Sequence, residues 1–377
     1  MRYYMPTQIL FGPGTINQLK VVVEGRLRSS RPLLVTDRGI EEAGILEKAR
    51  TLLAGVPVFD EVEPNPKHTT IDRGGEMARG LQPDLIIGLG GGSVIDAAKA
   101  IALLAKNAGS IEEYEGREKY QAAPLPVLAI PTTCGTGSEV TWVSVITHTG
   151  RKFKMSIKGP EMFPAVALVD PDLLVTLPVH LVASTGMDAI THAVEAYTSK
   201  LATCLTDLFA REALRLLFRY LPRAHADIRS DGEAREGMML GSLLAGLAFG
   251  NSDVGAVHCL AEALGSLYDT PHGLANAVFL PWVMEFNLEV SRPRYAEIAR
   301  LIGIEAESEE ERAGELIERI RGLSRALNIP PLSCLGVEAE ALPLLSRKSW
   351  ENNSNPSNPR PASAEDYLDI LRRALAA

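Results

Sequence analysis

The sequence predicts an α/β domain with a parallel sheet over residues 1–180, followed by an all-helical domain over residues 181–377. Three observations predict it. Short apolar runs alternate with helix-length amphipathic stretches in the first part, which is the pattern of a parallel sheet covered on both faces. Strand-like runs stop near Pro178, and long amphipathic stretches take over. A glycine-rich turn, Gly90-Gly91-Gly92-Ser93, joins one apolar run to a helix-like stretch.

Taken in order, Met1 to Gly14 reads as a short strand pair, with no basic-then-apolar leader. Pro32 to Thr36 is an apolar strand ending at Asp37. Asp84 to Leu89 is a buried strand. Ser93 to Ala105 is a helix with apolar residues at Val94, Ala97, Ala98, Ile101 and Leu104. Pro126 to Ile130 and Ala165 to Val169 are further apolar strands. The helical part reads as stretches at roughly 183–199, 206–220, 233–249, 254–268, 274–287, 294–302, 308–327 and 364–376. Residues 352–361 form a polar, proline-rich loop before the last helix.

Bulk properties narrow the class. The 377 residues suffice for two domains, and 46% hydrophobic with 23% charged residues is the balance of a globular enzyme. A net charge of −9 argues against a nucleic-acid partner. The longest apolar run, Leu85 to Ala105, contains Asp96 and Lys99, so no membrane span is expected. Cys134, Cys204, Cys259 and Cys334 share no repeated spacing and read as reduced thiols of a cytoplasmic protein.

The glycine turn reads as a phosphate cradle, which would make the first part a nucleotide-binding domain; a tight strand-to-helix turn with no ligand is the plainer alternative. Glycines let the backbone approach a phosphate, and free N–H groups at a helix start hold the anion. The pattern is not Gly-x-Gly-x-x-Gly, because counting from Gly88 the third position is Ser93. A second loop, Pro131 to Glu139, is dense in hydroxyls and glycine and follows the next strand, so it faces the same crevice.

Four residues read as one metal site. Asp188 and His192 are four apart, so on a helix they share a face. His258 and His272 follow, and small apolar neighbours such as Ala189, Ala193, Ala261 and Gly273 would bury the group. Buried histidine and aspartate need partners, and three imidazoles with one carboxylate suit a divalent transition metal. A capped Asp–His pair with two unrelated histidines is the plainer alternative. Cys259 is a rival ligand, but it should diverge from His258 by about 100° on a helix. His68, His148, His180 and His225 show no partner pattern. A metal that polarises oxygen beside a phosphate cradle suggests a nucleotide-dependent redox enzyme.

Together these motifs resemble the iron-containing (group III) alcohol dehydrogenase family over nearly the whole chain. The matching segments are Gly12-Pro13-Gly14, Gly90 to Ser93 with Asp96 and Lys99, Pro131 to Thr141, Gly186 to His192, His258, Pro271-His272-Gly273 and Asn358-Pro359-Arg360. The resemblance implies a dehydroquinate synthase-like fold with the active site in the cleft between its domains. It implies metal ligands at Asp188, His192, His258 and His272. It places Asp37 on the adenosine ribose, Gly91, Gly92 and Ser93 on the pyrophosphate, and Asn65, Thr132, Thr133, Thr141, Lys152 and Leu173 on further cofactor contacts. Many members carry a second histidine four residues after the third ligand. Here that position is Glu262, read as a proton relay or as a carboxylate hydrogen-bonded to a ligand histidine, with a surface residue as the alternative.

The implied reaction is reversible hydride transfer between a small alcohol or aldehyde and NAD. The implied metal is iron(II), with zinc as the alternative, and the implied state is a homodimer or higher homo-oligomer. Asp37 favours NAD over NADP by repelling a 2′-phosphate, although Arg38 beside it could bind one. The rival readings are a metal-free enzyme like maleylacetate reductase and a lyase like dehydroquinate synthase. The intact ligand set opposes the first, and the lack of a dense Lys or Arg group in the helical half opposes the second.

Overall fold

The computed structural model describes residues 3–377 and divides into two compact units. One comprises Tyr4–Thr133 with Gly137–Leu177; the other comprises Pro178–Ala377, Tyr3 and the short segment Cys134–Thr136.

The first unit contains nine strands: β1 (Gln8–Phe11), β2 (Pro32–Val35), β3 (Val58–Phe59), β4 (Leu85–Gly90), β5 (Gly116–Arg117), β6 (Val127–Pro131), β7 (Val143–His148), β8 (Phe153–Lys158) and β9 (Val166–Val169). Its main helices are α1 (Arg38–Glu42), α2 (Ile45–Leu52), α3 (His68–Leu81) and α4 (Gly92–Leu104). Six strands form a wholly parallel sheet in the order β1-β9-β6-β4-β2-β3. β4, β6 and β9 are buried along their whole length, because helices cover both faces.

Alternate residues along each strand feed separate cores. Leu33, Val35 and Ile86 join Ile71, Ile101 and Leu104 on one face. Leu34, Leu85 and Ile87 join Ile16, Leu46 and Ala49 on the other. Each such burial contributes about 1.5–3 kcal/mol. From β2 the chain moves outward to β3, then crosses back inward to β4. The carboxyl ends of β2 and β4 therefore flank a topological switch point, where open parallel sheets bind ligands.

Two expectations need correction. Residues 1–14 do not form a strand pair: β1 is a single strand pairing in parallel with β9, and Met1 and Arg2 lie outside the described residues. β7 and β8 form an antiparallel hairpin that the strand reading did not anticipate.

The second unit is helical: α5 (Val179–Thr198), α6 (Cys204–Asp227), α7 (Gly232–Ser252), α8 (Ala256–Tyr268), α9 (His272–Leu301), α10 (Glu309–Ala326), α11 (Leu342–Trp350) and α12 (Ala364–Leu375). Side-chain caps at Thr203, Asp231, Ser308 and Ser363 start α6, α7, α10 and α12. The stretches expected at 274–287 and 294–302 are one helix, α9, which runs through Pro281 and Pro293. Among the described residues, no single helix is long and apolar enough to cross a membrane.

Candidate metal centre and nucleotide turn

Asp188, His192, His258 and His272 come together inside the helical unit, each offering a ligand atom within 4.8 Å of the others. α5 supplies Asp188 and His192 from one face, α8 supplies His258 in its first turn, and α9 begins at His272. Gly273 makes that start possible. A Cβ there would stand 2.6 Å from the Ser184 carbonyl oxygen of α5, so only glycine lets the two helices approach this closely.

The donor set fits a cation. The Nε2 atoms of His192 and His258 lie 2.9 Å apart, and His192 Nδ1 is buried without a hydrogen-bond partner. Asn276, one turn after His272, donates to Asp188 Oδ1 at 2.6 Å and lies 3.1 Å from the Nε2 atoms of both His258 and His272. Lone pairs converging in a buried space call for an electropositive partner. Burial opposes charge on Asp188, but the three imidazoles and the Asn276 amide outweigh it and hold its pKa below the ordinary value. Burial, reinforced by His192, keeps His258 neutral, the form that ligates metals. The ring of Phe249 stacks on His192 at 4.2 Å and closes one side with apolar surface.

Glu195 is a residue the sequence reading missed. Its Oε2 accepts from His258 Nδ1 at 2.5 Å and its Oε1 accepts from the Val257 N–H at 2.7 Å. This bond fixes the tautomer that leaves His258 Nε2 as the lone-pair atom. Glu195 lies seven residues past Asp188 and three past His192, so the helical spacing of α5 was the available signal. The carboxylate expected to support a ligand histidine was Glu262. Instead, Glu262 Oε2 accepts from Asn352 Nδ2 at 2.6 Å, and Glu195 holds His258. Cys259 is wholly buried, and burial pushes its thiol pKa well up, away from the thiolate a metal needs.

In the α/β unit, the expected nucleotide residues gather at the carboxyl ends of the sheet. Asp37 follows β2, Gly91 follows β4, Thr132 and Thr133 follow β6, and Leu173 follows β9. Gly91 is the residue at which α4 begins, and no side chain caps that helix, which leaves its first N–H groups facing the switch point. Asp37 caps α1 through Oδ1, which accepts from the Ile40 N–H at 3.0 Å. Burial raises its pKa above the ordinary value.

Thr141 belongs to a buried brace. Lys99, fully buried on α4, donates to Ser138 Oγ at 2.8 Å, Thr141 Oγ1 at 3.3 Å and the Val143 carbonyl at 2.9 Å. Ser138 in turn donates to Asp96 at 2.5 Å. Burial lowers the Lys99 pKa to about 8 and raises that of nearby Glu139 to about 7.

Lys152 lies in the same unit. It is an exposed residue with φ 46° in the turn between β7 and β8. Two positions on, Lys154 is buried and donates to Asn65 Oδ1 at 2.5 Å. The lysine beside Asn65 is therefore Lys154.

A second grouping, His68, Glu112 and His148, contradicts the expectation that these histidines stand alone. It is poorly made for a metal. Backbone N–H groups of Thr149 and Arg151 donate to the Nδ1 atoms of His68 and His148, which puts the neutral-ring protons on Nε2. The two rings also stack at 4.4 Å rather than converge.

Comparison with known proteins shows the family. Residues 6–171 match the family model for iron-containing alcohol dehydrogenase, and residues 182–375 match that for the C-terminal part of the Fe-containing alcohol dehydrogenase family. The chain is 41% identical to 1,3-propanediol dehydrogenase of Klebsiella pneumoniae, covering 99% of this chain and 98% of that one. It is 36% identical to the NAD-dependent methanol dehydrogenase of Bacillus methanolicus, covering 99% of both. The crystal structure of a 1,3-propanediol oxidoreductase superposes with a TM-score of 0.93 at 41% identity, covering 99% of each chain.

Proposed function

The chain belongs to the iron-containing alcohol dehydrogenase family, and on that premise we propose that it is a metal-dependent enzyme moving hydride reversibly between a small primary or secondary alcohol and NAD. The observation that carries this reading is the convergence of buried Asp188, His192 and His258 with half-buried His272. When bound, the metal supplies Lewis acidity toward an alcohol or carbonyl oxygen, and NAD supplies the hydride acceptor.

The protein's own residues do the rest. Asp188 brings the negative charge that neutral imidazoles lack. Glu195 keeps His258 Nε2 turned toward the centre. The first N–H groups of α4, at Gly92 and Ser93, receive the pyrophosphate, with Thr132 and Thr133 beside them. Asp37 takes the ribose hydroxyls on its carboxylate and repels a 2′-phosphate, so NAD is preferred to NADP. Lys152 and Asn65 add a positive charge and an amide to the cofactor site, with Lys154 holding Asn65 in place, and Leu173 adds an apolar contact. Glu262, four residues past His258 and held by Asn352, is our candidate for carrying the alcohol proton away through water.

Hydride transfer needs the alcohol carbon and the nicotinamide in contact. The nitrogen and oxygen donors accept several divalent metals; iron(II) is our assignment from the family, with zinc as the alternative. Four free cysteines support a cytoplasmic enzyme, and the family supports a homo-oligomer. The complete donor set disfavours the metal-free reductase.

The test is elemental analysis of purified protein, with methanol, 1,2-propanediol and 1,3-propanediol assayed against NAD and NADP. Metal-dependent NADH formation supports the reading. Full turnover by metal-free protein overturns it, as does a cofactor regenerated without net NADH.

A further inference from the structure

Residues 352–361 look like a polar linker in sequence, yet by side chain and backbone they are committed to all three helices that carry the candidate ligands, or to residues at the ends of those helices. Toward α8, Asn352 donates to Glu262 at 2.6 Å. Ser354 and Ser357 donate to the two carboxylate oxygens of Asp253 at 3.0 and 2.8 Å, just before that helix. Toward α5, the Ser357 carbonyl accepts from the Lys200 N–H at 3.0 Å, beside the helix end. Toward α9, Arg360 donates to the Phe286 carbonyl at 2.9 Å.

Asn358 is the hub. It is 1% exposed, and both ends of its amide are used. Its Oδ1 accepts from the Ala256 N–H at 3.2 Å, the first residue of α8, and from Asn287 of α9 at 3.1 Å. Its Nδ2 donates back to Asn287 Oδ1 at 2.8 Å and to the Arg360 carbonyl at 2.6 Å.

Two backbone features show how tightly this start of α8 is specified. Asp253 holds φ 63° and ψ 177°, a conformation costly for any residue but glycine, and the two serine bonds secure it. A Cβ on Gly255 would stand 2.9 Å from Asn358 Oδ1 and 3.1 Å from Glu195 Oε1, so the first turn is wedged between those side chains.

We propose that Asn358 is a positioning residue for the metal centre: by fixing the first turn of α8 against α9, it sets His258 in register with Asp188, His192 and His272. The proposal rests on the metal reading above. Asn358 touches no ligand; it acts through Ala256, two residues before His258. Rotating a helix by about 10° moves a ring nitrogen by roughly 1 Å, whereas metal–ligand distances hold within about 0.2 Å. A small loss of register at Ala256 therefore becomes a large loss at His258 Nε2.

The test uses the full-length protein loaded with cobalt(II), whose visible absorption reports ligand geometry. Wild type, Asn358→Leu, Asn358→Asp and a control, Asn355→Ala, are compared by chelator competition, visible spectrum and NADH binding. Asn355 braces the same loop through Tyr367 and the Trp350 and Ala362 carbonyls, so its loss weakens the loop without removing the Ala256 bond. Asn358→Leu should weaken cobalt binding by about 10- to 100-fold and shift the spectrum, with NADH binding unchanged. Asn358→Asp, which keeps an acceptor for Ala256, should recover part of both, and Asn355→Ala should lower thermal stability alone. Asn358→Leu with wild-type affinity and spectrum overturns the proposal. Should that variant fail to fold, an Asn358→Ala protein, which loses the Ala256 acceptor without added bulk, with wild-type affinity and spectrum overturns it equally. Wild type that binds no cobalt overturns the metal reading itself, a result distinguishable from loss of the Asn358 role alone.

Discussion

The nucleotide turn and the metal centre are made of different material. At the turn, the groups offered to a ligand are backbone N–H groups where β4 runs into α4, and side chains mainly leave room. At the metal centre every donor is a side chain, drawn from three helices and steadied by a neighbour: Glu195 on His258, Asn276 on Asp188. A backbone site survives most substitutions that add no bulk. A side-chain site fails when one atom is lost or one support slips. The first is held by the sheet, the second by a chain of single contacts.

That contrast can be broken at its strongest point. His272→Ala removes one donor and leaves the α/β unit untouched. The Lewis acidity it helps to supply is worth several kcal/mol, so kcat/KM should fall about a thousandfold or more while NADH still binds. Steady-state kinetics with fluorescence titration of NADH check both halves. Chelation should have the same effect on wild type and be reversed by added metal. A variant losing both activities together would refute the independence of the two sites.

A smaller effect is expected one contact further out. Glu195→Gln keeps the shape but weakens the hold on the His258 tautomer. Metal affinity should drop about 10- to 100-fold, measured by chelator competition, with the fold intact by circular dichroism. Unchanged affinity would mean that His258 needs no carboxylate.

At the nucleotide site the side chain expected to set the choice of cofactor is Asp37. Asp37→Gly should move the NAD/NADP ratio of kcat/KM about tenfold toward NADP, by removing a like charge from the 2′-phosphate. An unchanged ratio takes Asp37 out of the site and makes the turn more purely a backbone device.

The smallest effect is on stability. Burial raises the Glu139 pKa to about 7, above its ordinary 4.5. The folded state therefore holds a proton that the unfolded chain releases at lower pH. The stability this provides is complete below about pH 4.5 and is lost as pH rises through 7. Glu139→Gln should flatten urea-unfolding stability between pH 5 and 7.5, by on the order of 1 kcal/mol, because the Lys99 charge offsets part of the burial cost. An undiminished slope would show that another group carries it.

How much was legible in the sequence follows the same division. The buried strands and the glycine turn are local patterns of apolar runs and small residues, and the structure has them where the sequence puts them. The four ligand candidates were legible because Asp188 and His192 share a helix face and small neighbours mark a buried site. Glu195 was missed because its partner, His258, lies far along the chain, although its own helix face was readable. Lys152 was named from the family resemblance alone; the β7–β8 hairpin, which makes it a turn residue and buries Lys154 two positions on, was not legible. The expected stretch 274–287 already ran through Pro281; the gap left at 288–293 is helical too, and α9 continues through Pro293 without a break.

The pairing of β1 with β9 has a consequence in time. Gln8 stands beside Val166, and the Gly14 and Ile16 N–H groups are received by the Asp170 carboxylate at 2.9 Å. Within this sheet β1 is thus made roughly 160 residues before its partner, a delay of roughly 8–30 s at ordinary rates of synthesis. Closing so long a loop costs more entropy than any neighbouring strand connection, so β1 docks after β2, β4 and β6 have paired. Until Asp170 is made, the amino-terminal segment is an unclaimed strand and β9 an absent edge. The α/β unit therefore completes its sheet only when its last strand captures its first.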